Sequence, residues 1–115
     1  MELTQDWNSQ LRRGVLELSI LALIAGSPRY GYEIVTQLAE VPQLAAGEGT
    51  VYPLLRRLRK DGLLATFWQE SVSGPPRQYY QLTPLGQQAL CAMRLEWSQL
   101  VQAVNQFVEG GSTFA

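Results

Sequence analysis

The stretch Thr50-Val51-Tyr52-Pro53-Leu54-Leu55-Arg56-Arg57-Leu58-Arg59-Lys60-Asp61-Gly62 constrains this chain more than any other. Wound as a helix, it puts Val51, Leu54, Leu55 and Leu58 at the i, i+3, i+4, i+7 spacing of one apolar face. Pro53, Arg56, Arg57 and Lys60 then point the other way. Proline lacks an N–H and is harmless only in a first turn, which favours Thr50 as N-cap. A start nearer Gly47 would bury Pro53 inside the helix and imply a kink. Gly62 supplies the left-handed residue on which the chain leaves. The leucines demand a scaffold. The cationic face either rests in solvent, as most helix exteriors do, or meets an anionic surface such as phosphates and base edges.

Charge distribution favours the second use. The chain carries nine Lys+Arg against ten Asp+Glu, a poor balance for a nucleic-acid binder judged by its total. Four of those nine cations nevertheless fall between Arg56 and Lys60. An acidic body with cations gathered on one helix can present a positive patch and stay soluble.

The surrounding punctuation sets the order of elements. Leu11 to Ala25 is apolar nearly all round and reads as a helix buried on most sides, beginning as early as Thr4. Gly26-Ser27-Pro28 ends it. A second helix is expected from Gly31 to Glu40, with Ile34, Val35 and Leu38 inward, stopped by Val41-Pro42. After the cationic helix the period changes. Leu64–Gln69 and Arg77–Leu82 read as strands, with Glu70 to Pro76 a loop between them. Thr83-Pro84 is an N-cap followed by proline at the first helical position, and the helix it starts should reach about Val108.

Three helices followed at once by a hairpin form a winged helix-turn-helix arrangement: mainly α with a small β-hairpin. The Val41–Gly49 connection is longer than a compact helix-turn-helix turn, which the winged version tolerates. The chain is expected to divide into a DNA-binding unit over residues 1–82, a dimerisation helix over 83–109 and a flexible tail over 110–115. In the last helix Leu90, Met93, Trp97, Leu100, Val104 and Phe107 alternate by three and four, an a/d seam. Either the seam packs on the chain's own first helix or it joins the Leu3-Trp7-Leu11 stripe in a two-fold dimer interface, and both surfaces are expected to be used. A dimer would set two reading helices about 34 Å apart, matching a palindromic site.

At 115 residues the chain is one domain. A single cysteine, Cys91, cannot pair internally, and with no secretory leader visible the expected setting is the cytoplasm. There is no histidine, which removes the commonest metal ligand and general base. No cofactor is expected. Leu16 to Ala25 is too short an apolar run for a membrane span.

Several segments together resemble the PadR family of bacterial transcriptional regulators: Leu11–Leu18, Tyr30-Gly31-Tyr32-Glu33-Ile34, Glu48-Gly49-Thr50-Val51-Tyr52-Pro53, Asp61-Gly62-Leu63-Leu64 and Gly74–Thr83. The likeness covers roughly residues 11 to 90. It implies a dimeric winged-helix repressor of its own or neighbouring genes, with DNA contacts at Thr50, Tyr52, Pro53 and Arg56 and on the wing near Gly74 and Arg77. It also implies, for some members, a flat aromatic effector stacked on tryptophan at the dimer interface, here Trp97 and Trp7. Two departures stand out. Pro75 occupies a place where relatives often carry a basic residue, and Gly47 one where a capping serine is frequent.

The alternative is a winged-helix protein-interaction module without DNA binding, which the acidic balance would suit. An enzyme fits poorly. Glu33, Glu48 and Asp61 are explained by helix ends or solvation, and no nucleophile–base pair or phosphate-cradling loop is present.

Overall fold

The computed structural model describes residues 2–110, with side chains from Trp7 onward. Its elements run α1 (Glu2–Gly26), β1 (Arg29–Tyr30), α2 (Gly31–Ala39), a 3-10 turn (Pro42–Leu44), α3 (Glu48–Lys60), β2 (Leu64–Ser71), β3 (Gly74–Leu82) and α4 (Pro84–Val108). The side chain of Leu3 and the 111–115 part of the expected tail lie outside the described residues.

The core is built from the apolar faces that the sequence periodicity marks. Ile20, Leu21 and Ile24 of α1 meet Ile34 and Leu38 of α2 and Val51, Leu55 and Leu58 of α3, all buried. Leu64 and Tyr80 close it from the sheet. Each fully buried aliphatic side chain contributes about 1.5–3 kcal/mol relative to exposure, so α3 is fixed by three such anchors. α1 is less enclosed than expected. It buries the stripe Leu16, Ile20, Leu21, Ile24, while Val15 and Leu18 stay half-exposed along a cleft towards α4.

The end of α1 is held from across the turn. Arg29 Nε donates to the carbonyl of Leu23 at 3.0 Å, and its Nη1 donates to Gln37 Oε1 at 3.1 Å. That links the close of α1 to α2. At the start of α2 the Glu33 carboxylate accepts from the backbone N–H of Tyr30 at 3.4 Å.

Three features differ from the sequence reading. First, α3 starts at Glu48 with Gly47 as N-cap, so Thr50 and Pro53 both lie inside a continuous helix. The carbonyl that loses its donor to Pro53 belongs to Gly49, which is exposed, so solvent can satisfy it. Second, the hairpin is longer. β2 and β3 pair from Leu64↔Leu82 out to Ser71↔Gly74, leaving only Val72-Ser73 as the tip, with an irregularity around Glu70. Pro75 and Pro76 suggested a loop. They are tolerated as strand because β3 has a second neighbour only at Tyr79 and Tyr80, so its outer edge is open at the prolines. Third, that neighbour, β1, escaped notice. Two residues are too few for a periodicity to show, and the sheet they complete has the order β1-β3-β2.

Gly62 has φ +83°, the left-handed exit expected of it. The chain there is tied to the next helix. Thr83 Oγ1 accepts from Gly86 N–H at 2.9 Å and donates to the carbonyl of Gly62 at 2.6 Å. The same hydroxyl therefore caps α4 and fixes the end of α3.

α4 begins in the core and leaves it. Leu90, expected in the dimer seam, is 2% exposed and packs within its own protomer, with Met93 half-buried one turn on. Beyond that point Trp97, Leu100, Val104 and Phe107 are exposed. The molecule is elongated accordingly, 60 × 35 × 22 Å.

Candidate nucleic-acid interface

α3 is amphipathic, and its three buried residues decide which way the rest must face. With Val51, Leu55 and Leu58 inward, Pro53, Arg56 and Lys60 are exposed on the far side and Tyr52 is half-buried on its edge. Arg59, absent from the expected set, is also exposed. It is a fourth cation on the same helix, turned towards the wing side.

Two of the expected contact residues lie on the opposite flank, against α1. Arg57 Nη2 donates to the Glu17 carboxylate at 2.6 Å, with the guanidinium about half-exposed. Thr50 is exposed beside a depression shared with Arg12 and Arg13 of α1. So Tyr52, Pro53, Arg56 and Lys60 form the outward face, and Arg57 is held sideways.

The start of α3 has no side-chain cap. Its approach is instead held by Arg12, whose Nη1 donates to the carbonyl of Ala45 in the preceding loop. Arg12 Nε is buried without a partner. A serine at position 47 would have bonded the helix start locally. With glycine there, the contact from α1 restrains the loop alongside its own backbone turns and the packing of Leu44 and Ala46. Nothing in the periodicity of α1 marked Arg12 for this.

The wing is built on a small aromatic stack. Phe67 and Tyr79 lie parallel with centroids 5.5 Å apart, and Tyr30 meets Tyr79 edge-on at 5.5 Å. The Arg77 guanidinium sits 4.4 Å above the Tyr30 ring. Such a stack orients the guanidinium while leaving its N–H fork available. Gly74 is exposed at the hairpin tip.

Tyr52 and Tyr80 lie behind the outward face. Burial pushes the Tyr52 phenol up, with the Glu48 carboxylate adding to the effect. Burial also raises Tyr80, against an opposing pull from Arg59 and Arg56. Both phenols therefore stay protonated, and able to donate, throughout the neutral range.

A second apolar surface lies between α1 and α4. A crevice of about 460 Å³ is lined by Leu11, Val15 and Leu18 on one side and by Met93, Trp97 and Leu100 on the other. Trp97 is on its wall; Trp7 is not, although it is exposed one turn beyond Leu11. Among the described residues no helix is long and apolar enough to cross a membrane.

A helical scaffold that presents a cationic helix beside a β-wing is a winged-helix protein of the kind that reads duplex DNA. Comparison with known proteins specifies the class. The transcriptional regulator PadR-like family matches residues 20–92. A crystal structure of a PadR family transcriptional regulator from Eggerthella lenta is 34% identical, covers 94% of each chain and superposes with a TM-score of 0.82. A PadR-like transcription factor from Bacteroides fragilis is 42% identical over 89% of this chain and 98% of its own, with a TM-score of 0.72. A transcriptional regulator of Mycobacterium tuberculosis is 33% identical over 95 residues, 83% of this chain and 87% of the relative. The chain belongs to the PadR-like family of transcriptional regulators, DNA-binding proteins rather than enzymes.

Proposed function

We propose that this regulator is a homodimeric repressor of its own or neighbouring genes, acting in the cytoplasm on a palindromic operator. Residues 1–82 read the DNA and residues 83–109 hold the dimer together. The observation that carries this reading is the outward face of α3. Three buried aliphatics fix the helix, and Pro53, Arg56 and Lys60 project from it beside a wing that offers Arg77.

Each residue has a distinct part. Arg56 lies mid-helix, where a fork-shaped guanidinium reaches base edges. Lys60 at the helix end and Arg77 on the wing meet phosphates. Thr50, Tyr52 and Pro53 bound the groove-facing surface, and Gly74 lets the wing tip approach the backbone. Arg57 joins the contacts only on leaving Glu17. The exposed surfaces of Trp7, Leu11, Trp97, Leu100 and Val104, with Leu3 and Phe107, form the dimer contact. A small aromatic effector against Trp97 would loosen the grip on DNA.

Titration of the labelled region upstream of its own gene, at several salt concentrations, tests the reading. Arg56→Ala should weaken operator binding by about 1–3 kcal/mol, whereas Lys60→Ala should mainly lower the salt slope, by about one. A dimer that fails to retard this DNA in preference to random duplex would instead be a winged-helix interaction module.

A further inference from the structure

Sheet alternation singles out an aromatic residue that the core does not use. On β2 the residues Leu64, Thr66 and Trp68 share one face, paired across to Leu82, Tyr80 and Gln78 of β3. Leu64 and Tyr80 make this the inward face, and both are buried. Trp68 continues it past the edge of the core and is 67% exposed. A single exposed apolar side chain needs no explanation. This one, however, overhangs a recess of about 580 Å³ that Tyr32, Tyr52, Arg77, Gln78 and Tyr80 also line.

The recess lies between the two elements assigned to DNA. Tyr52 belongs both to it and to the edge of the outward face of α3, and Arg77 belongs both to it and to the wing. It is open, and none of the residues lining it is acidic. Tyr32 is 57% exposed at the start of α2 and shares the recess with Trp68. The recess therefore offers flat apolar surface and phenol hydroxyls together. That mixture fits deoxyribose and phosphate, an apolar ring joined to an anion. A duplex read by α3 in the major groove and touched by the wing beside it must carry one strand across the gap between them.

We infer that Trp68 and Tyr32 form a seat for the sugar–phosphate backbone of the strand crossing from α3 to the wing. The inference rests on the DNA-reading function proposed above. Trp68 supplies sugar contact and excludes water, while the Tyr52 phenol faces the phosphate. Backbone contact carries no base information, so it strengthens binding to every sequence alike.

The test uses the full-length chain, an upstream duplex and a random duplex of equal length. Trp68→Ala should lower affinity for both by a similar factor, about fivefold or more, with Trp68→Phe retaining most of it. Thermal unfolding of the free variants should be little changed, since the indole is mostly exposed. In protein carrying 5-fluorotryptophan, the Trp68 resonance, assigned by its loss in Trp68→Phe, should shift on adding either duplex. Wild-type binding with an unmoved Trp68 resonance, or with Trp68→Ala as tight as wild type, overturns the seat and leaves the DNA-reading function standing. A loss confined to the upstream duplex would make Trp68 a base reader and also overturn it. Failure of the wild type to bind any duplex overturns both.

Discussion

The contact between Gly31 and Tyr52 shows how narrowly one residue can fix another. A Cβ built on Gly31 would lie 2.4 Å from Tyr52 Cε1, well inside any real contact. The first residue of α2 must therefore be glycine for the Tyr52 ring to lie where it does, half-buried at the edge of α3. Replacing glycine also restricts the unfolded chain, a gain of about 0.4–1 kcal/mol where the native backbone is compatible. The clash works against that gain, because overpacking a fitted site costs about 1–3 kcal/mol. Gly31→Ala is expected to lose stability by urea unfolding and to weaken DNA binding, through displacement of the tyrosine. An unchanged midpoint together with unchanged affinity would mean that the ring moves freely and is not part of a fitted surface.

Between elements, α1 holds α3 at two places: Arg12 on the loop before it and Glu17 on Arg57. The Glu17–Arg57 pair is partly open to solvent, so its worth to folding is at most about 1 kcal/mol. Its effect on function should be larger. Glu17→Gln removes a carboxylate from the border of a cationic helix and frees a guanidinium that it now holds sideways. Affinity for random duplex should rise and the salt dependence should steepen, with little change in unfolding midpoint. Looser binding in that variant would show instead that the pair orients α3. A second link, Thr83, bonds the end of α3 and caps α4. Thr83→Ala should cost about 1–2 kcal/mol by urea unfolding, the loss typical of a helix cap. Part of this was legible in the sequence. The buried faces of α2 and α3, the Gly62 exit and the Thr83 cap all follow from local chemistry. Arg12, the Glu17–Arg57 pair and Trp68 did not, because each acts between segments far apart in the chain. The start of α3 near Gly47, the less favoured of the two starts open in the sequence, prevails for a different reason. Proline was given the weight it has in an isolated helix, whereas here the packing of Val51, Leu55 and Leu58 outweighs one lost hydrogen bond.

At the scale of the whole molecule, the two ends of α4 have different tasks. Its first turns place Leu90 in the core, and its later turns carry Trp97, Leu100 and Val104 outward at seam spacing. A helix end that projects with an apolar seam gains little from water, since isolated helices of this length are marginal. A second copy of the chain is the partner that a closed two-fold contact supplies. Leu100 is 58% exposed in the protomer, so Leu100→Asp should leave the fold intact and reach only the association. Light scattering should then report a shift from dimer to monomer. DNA binding gives an independent check through its salt dependence. If Lys60 and Arg77 each neutralise one phosphate, the slope of log affinity against log salt should be roughly −4 for the dimer and roughly −2 for a monomer. The acidic remainder of the chain contributes no such term, so the slope counts the cations that reach DNA. A variant that becomes monomeric yet keeps the full slope would place the phosphate contacts elsewhere. One that stays dimeric would remove Leu100 from the contact and leave the seam to the α1 crevice alone.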